Sequence, residues 1–157
     1  MRIDGHGPGD YLRLLAPLFA LMAAVWALRI VVYAAGAAPM VLHIISVTLA
    51  GRIAILLAVI MIYRRRFGSY TSVIVSVFLL ICWEQLIIAA AIVFTLATGI
   101  LNVYSAPRFT LGESPATHLA GHLTVGIGSG TLLGAAMGCL LFWMLRRLAS
   151  SAARSAR

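Results

Sequence analysis

The sequence has no lysine and only four acidic residues, Asp4, Asp10, Glu84 and Glu113, and charged residues make up 10% of its 157 positions. A water-facing surface usually carries about 25–35% charged side chains, so a soluble monomer is excluded. Cysteine is equally scarce. Cys82 and Cys139 both fall inside apolar runs, where free thiols pack as small hydrophobes, and a structural disulfide is not expected outside a small secreted scaffold. Also missing are a glycine-rich phosphate loop, a serine in a nucleophile context, an acidic metal cluster and a lipidation motif. With a single carboxylate inside the apolar runs, the paired acids of general acid–base chemistry are lacking. The chain is expected not to be an enzyme.

What the sequence does have is apolar length. Residues of the set AVILMFWYC make up 62% of the chain and the mean hydropathy is +1.04, so the natural solvent is a lipid bilayer. All 12 basic residues are arginine, giving a net charge of +8. Nucleic-acid binding would need those charges on a water-accessible face beside stacking aromatics. Here they cluster at the ends of apolar runs, so they read as topology determinants and as contacts to anionic headgroups, and no nucleic-acid partner is expected.

Four segments are long enough to cross roughly 30 Å of hydrocarbon as helix: residues 12–33, 40–63, 70–99 and 118–145. The fold class is therefore all-α, a single integral membrane domain over residues 1–157, built as an up-down-up-down four-helix transmembrane bundle. Its connections are a tight uncharged turn at Ala34–Pro39, a turn with three arginines at Arg64–Ser69, and a loop at 101–117 containing Pro107 and Pro115. Nine of the 12 arginines (Arg2, Arg13, Arg64, Arg65, Arg66, Arg146, Arg147, Arg154 and Arg157) fall at one end of the spans, and only Arg108 lies in a loop at the other. The positive-inside rule then places both termini in the cytoplasm, with a bacterial inner membrane as the expected location. The first apolar stretch exceeds the 7–15 residues usual for a signal peptide and holds Arg29, which favours a retained span. Both tails are too short to fold alone.

Charged groups deep in a bilayer cost about 2.5–3.5 kcal/mol each on insertion scales, and so signal a partner or a function. Arg52 and Glu84 sit near the middle of the second and third spans. Counted outward from the turn at Arg66 and Phe67, they fall within a helical turn of the same depth. The spacing predicts a buried ion pair supported by Gln85 or by Thr48, one turn from Arg52. Such a pair serves either as a registry device for helix docking or as a proton or ion relay; a third arrangement leaves the charge unpaired and facing a subunit partner. Arg29, four residues from Tyr33, can snorkel to the headgroups.

In the fourth span His118, His122, Gly126, Gly130, Gly134 and Gly138 recur at every fourth position. Repeated Gly-x-x-x-Gly lets helix backbones approach, so this row predicts close packing against a neighbour in this chain or in a second protomer. Glycine at that density also predicts a kink. His118 and His122 put two imidazoles on one side of a helix, a spacing compatible with a divalent metal, with His43 and Glu113 as further candidate ligands at the same end, or with haem b between facing helices. No H-E-x-x-H or C-x-x-C-H signature accompanies them, and His43 lies half a turn round its helix from Arg52, so no cofactor is expected. The leading expectation is a small non-catalytic accessory or scaffold subunit, in a homo-oligomer or a larger membrane complex. Proton or small-ion transport through an oligomer using Arg52 and Glu84 is the alternative, and a redox subunit using the histidines the third.

Overall fold

The computed structural model describes residues 2–107, 110 and 114–155. Among them the chain is all-α. It folds as α1 (Pro8–Ala34), α2 (Pro39–Ile44), α3 (Val47–Arg65), α4 (Tyr70–Thr98), α5 (Pro115–Gly121), a π-helical turn (His122–Gly126) and α6 (Ile127–Ser155). Of the residues read from sequence, Arg108, Glu113, Arg157 and the side chain of Arg154 lie outside the described set.

Local chemistry sets the helix ends. Pro8, Pro39 and Pro115 occupy first helical positions, where the missing N–H loses nothing. Asp10 accepts from the Gly7 N–H at 2.8 Å, while the Ser69 and Ser114 hydroxyls accept from Thr71 N–H and Thr117 N–H at 3.2 Å, ordinary N-caps. Arg66 and Gly99 end α3 and α4 in the left-handed conformation.

Four stretches are long and apolar enough to cross a membrane: Pro8–Ala34, Pro39–Arg65, Tyr70–Thr98 and Pro115–Ser151. Two depart from the simple reading. The span expected at 40–63 is broken at Ile45 (ψ 77°) and Ser46 (φ −116°, ψ 127°), within a run of β-branched residues of modest helix propensity. The fourth span starts at Pro115 and widens to a π-turn at His122–Gly126, an inserted irregularity of the kind frequent at functional sites.

Helices α3 and α4 form the central pair, and α1 and α6 each pack against both of them. The core comprises Leu15, Met22, Ile55, Ile62, Val77, Leu80 and Ile92, each at most 1% exposed. Large apolar side chains face outward all along the helices, Leu132 at 73% and Val31 at 64% exposed among them, as expected of surfaces solvated by lipid.

The glycine row lies against α4. A Cβ built on Gly126 would meet Gln85 Oε1 at 2.7 Å; on Gly130, Ile81 Cγ2 at 3.1 Å; on Gly134, Val77 Cγ1 at 2.9 Å and Ile55 Cδ1 at 3.0 Å; on Gly138, Val73 Cγ1 at 3.1 Å. Each step of four down α6 matches a step of four up α4, so two i±4 rows of antiparallel helices interlock.

At the arginine-rich end the N-terminal tail is folded. Ile3 and His6 exchange backbone hydrogen bonds of 2.9 and 3.0 Å around Asp4 and Gly5, both at positive φ, the turn that an Asp-Gly pair favours. Asp4 Oδ2 accepts from Ser69 N–H (2.9 Å), Ser69 Oγ (2.7 Å) and Ser72 Oγ (2.8 Å), which holds its carboxyl at a pKa of about 2, the Ser69 hydroxyl acting most strongly. The His6 ring stacks on Phe67 at 3.8 Å. The tail thus folds against the α3–α4 turn although it is too short to fold by itself.

Candidate functional site

Glu84, on α4 midway between its ends, is 2% exposed. Its carboxyl occupies the space left by Gly51 on α3, where any Cβ would collide with it, and Met22 of α1 closes the same niche. The missing side chain at position 51 is therefore what admits the acid into the three-helix contact. Oε2 is buried and receives no hydrogen bond. Thr48 stands beside the carboxyl, and the Arg52 charge acts on it from the same helix.

The expected Arg52–Glu84 ion pair is not formed: no salt bridge occurs among the described residues, and Arg52 is exposed while Glu84 is buried. Helix rotation explains the difference. With Gly51 pointed at Glu84, the next residue is turned about 100° round α3, which carries the guanidinium to the outer surface of the bundle. Equal depth was legible from the count of residues; which side of α3 faced α4 was not, because Gly51 carries no side chain to mark it.

Gln85 supports a different partner. Its Oε1 lies 2.6 Å from His122 Nδ1, and since an amide oxygen only accepts, the imidazole proton sits on Nδ1. His122 Nε2 is then free to accept from His118 Nε2–H, 3.2 Å away. The two rings meet edge to face at 4.6 Å between centroids. The π-turn and the absent side chain of Gly126 make this possible, the first by re-aiming His122 and the second by leaving room for the Gln85 amide.

These histidines face each other along one helix instead of facing a ligand from opposite helices. His43 is exposed on α2 and does not join them: among the described residues no group of three or more His, Cys, Asp or Glu side chains comes together to hold a metal ion. Cys82 and Cys139 are free and half-buried.

The segment after α4, expected as a plain loop, folds back into the far end of the bundle. Asn102 Nδ2 donates to Ala91 O (2.7 Å) and Thr95 Oγ1 (2.9 Å), and its Oδ1 accepts from Tyr104 N–H (2.9 Å). Ser105 Oγ lies 2.7 Å from Thr95 Oγ1. Tyr104 is 5% exposed, with the Arg29 guanidinium 5.1 Å above its ring. Burial, only partly offset by Arg29, pushes its phenol up to about 12. Arg29, expected to snorkel to the headgroups, packs on the Tyr104 ring.

Comparison with protein families, curated proteins and solved structures finds no match to this chain.

Proposed function

We propose that the chain is a non-catalytic accessory or scaffold subunit of a larger membrane assembly, with no resident cofactor and with its arginine-rich end in the bacterial cytoplasm. The observation that carries this reading is Arg52, which sits about 16 Å along the helix axis from Tyr63 and is exposed on the outer face of α3. A guanidinium turned outward at mid-bilayer is costly in lipid and is relieved by a protein partner. The internal contacts of α6, by contrast, are occupied by α4, so the glycine row serves the fold itself. The proposed orientation rests on the positive-inside rule, with Arg66 and Arg146 meeting beside Ser69 and Tyr70 at that end of the bundle. Extraction of native membranes in mild detergent tests the reading. A particle larger than the 16.8 kDa chain is expected after correction for detergent, and recovery of only the bare monomer would overturn it.

A second reading, proton or small-ion transport through an oligomer, is favoured by the unpartnered Glu84 oxygen. Ser72, Ser76 and Glu84 lie on one face of α4 and are all buried, with Leu80 between Ser76 and Glu84. An intramembrane carboxyl with an open oxygen is the type of group that binds and releases a proton. In proteoliposomes carrying a pH-sensitive dye inside, wild-type flux that disappears in a folded Glu84→Gln variant supports this reading; no wild-type flux removes it.

A further inference from the structure

The outer face of α3 presents Leu49, Arg52, Ile53, Leu56 and Ile60, all exposed. Apolar side chains above and below a single cation at mid-span form a surface that lipid solvates everywhere except at one point. The acids of this chain cannot serve that point. Glu84 is sealed at 2% exposure, Asp4 is held by Ser69 and Ser72, and Asp10 lies in the first turn of α1; both aspartates are at the arginine-rich end. Glu113 precedes the fourth span in the sequence. Among the described residues, a second copy brought against α3 therefore offers no exposed carboxylate at the depth of Arg52. Snorkelling toward the Tyr63 end is a poor escape, because the Arg52 backbone lies about 16 Å along the helix from Tyr63, farther than an arginine side chain extends.

We infer that this α3 face docks a transmembrane helix of a different protein that carries an Asp or Glu at mid-bilayer, its carboxylate paired with Arg52 and apolar residues packed around Leu49, Ile53 and Leu56. The inference rests on the accessory-subunit reading and names the chemistry of its partner. A charge-assisted, bidentate Arg–carboxylate contact inside lipid fixes depth and rotation together, and small side chains on the incoming helix bring it close to α3.

The full chain, dye-labelled at its C-terminus and reconstituted in phosphatidylcholine vesicles, is titrated by energy transfer with synthetic Leu/Ala helices. One guest has a central Glu, a second a central Gln, and a third a Glu one turn from its end. The central-Glu guest is expected to associate about tenfold more tightly than the other two, to lose that advantage with Arg52→Leu and to regain most of it with Arg52→Lys. Leu49→Trp, which keeps the charge and crowds the same face, is expected to weaken binding as well, so the result does not hang on one variant. Equal binding of the Glu and Gln guests, an advantage that survives in Arg52→Leu, or self-association of the chain through α3 would each overturn the inference. A native assembly that depends on the α3 face but whose partner has no mid-span acid would also overturn it while leaving the subunit reading intact; recovery of the bare monomer in mild detergent removes that reading itself.

Discussion

Replacing Gly134 by alanine sets two effects of known sign against each other. Alanine in place of glycine inside a helix gains about 0.5–1 kcal/mol from reduced backbone entropy. At Gly134, however, the new methyl meets Val77 Cγ1 at 2.9 Å and Ile55 Cδ1 at 3.0 Å, both on side chains that are fully buried. Such overpacking typically costs about 1–3 kcal/mol. The net expectation for Gly134→Ala is a loss of up to about 2.5 kcal/mol. Gly128, six residues earlier on the same helix, has nothing within 4 Å of a built Cβ, so Gly128→Ala keeps the gain without the clash. Because the propensity gain is common to both, the gap between the variants isolates the packing cost of about 1–3 kcal/mol. Reversible unfolding by SDS in mixed micelles, followed by circular dichroism, reads this difference. In the Gly134→Ala background, Val77→Ala removes the methyl that is struck, and a coupling of about 1 kcal/mol is expected in the double-mutant cycle. Two glycine variants within about 0.5 kcal/mol of each other, or a reversed order, would refute the argument that α4 and α6 owe their close approach to these glycines.

Acid should loosen the N-terminal hairpin. The Asp4 pKa is lowered in the folded chain, so the contribution of its carboxylate is present above the ordinary value of 3.8 and is lost as pH falls through about 2. Hydrogen exchange at the Ile3 and His6 amides should rise across that window, and Asp4→Asn should show the faster exchange already at neutral pH. For Tyr104 the sign is opposite: with its phenol raised from 10 to about 12, the folded form holds the proton and loses stability between those pH values. Ultraviolet titration should show one tyrosine ionising late, and Arg29→Leu, which removes a charge that favours the phenolate, should delay it further. Asn102→Leu strands the Tyr104 N–H and the Ala91 and Thr95 partners, an expected loss of about 1–3 kcal/mol. Unfolding in SDS would show it, and an unchanged midpoint would mean that the fold-back segment is not anchored by this side chain.

Much of the architecture was legible in the sequence because a bilayer simplifies the problem. Unsatisfied backbone groups are forbidden in hydrocarbon, so hydropathy alone pointed to four helical spans, and Arg64–Arg66 marked the turn between the second and third. The glycines at every fourth position from Gly126 to Gly138 pointed to a close neighbour or a kink, and a Cβ built on each would meet a side chain of α4. The break at Ile45–Ser46 was not visible, because no proline or glycine announces it. The N-terminal hairpin has a local signal in Asp4-Gly5, but its anchors Ser69 and Ser72 are more than 60 residues away. The fold-back around Asn102 depends on carbonyls and hydroxyls of α4 and carries no pattern of its own.

The sequence alone determined that the chain carries four stretches long and apolar enough to cross a bilayer, and that Arg52 and Glu84 lie at similar heights along their helices, because residue count along a helix is a measure of length. Only the tertiary structure decided how each helix is rotated about its axis. Rotation is set by packing, by which side chain is small enough to let a neighbour in. Gly51 turns Glu84 inward and Arg52 outward, and Gly126 delivers Gln85 to His122, so the two charges that a one-dimensional reading brings together face opposite environments.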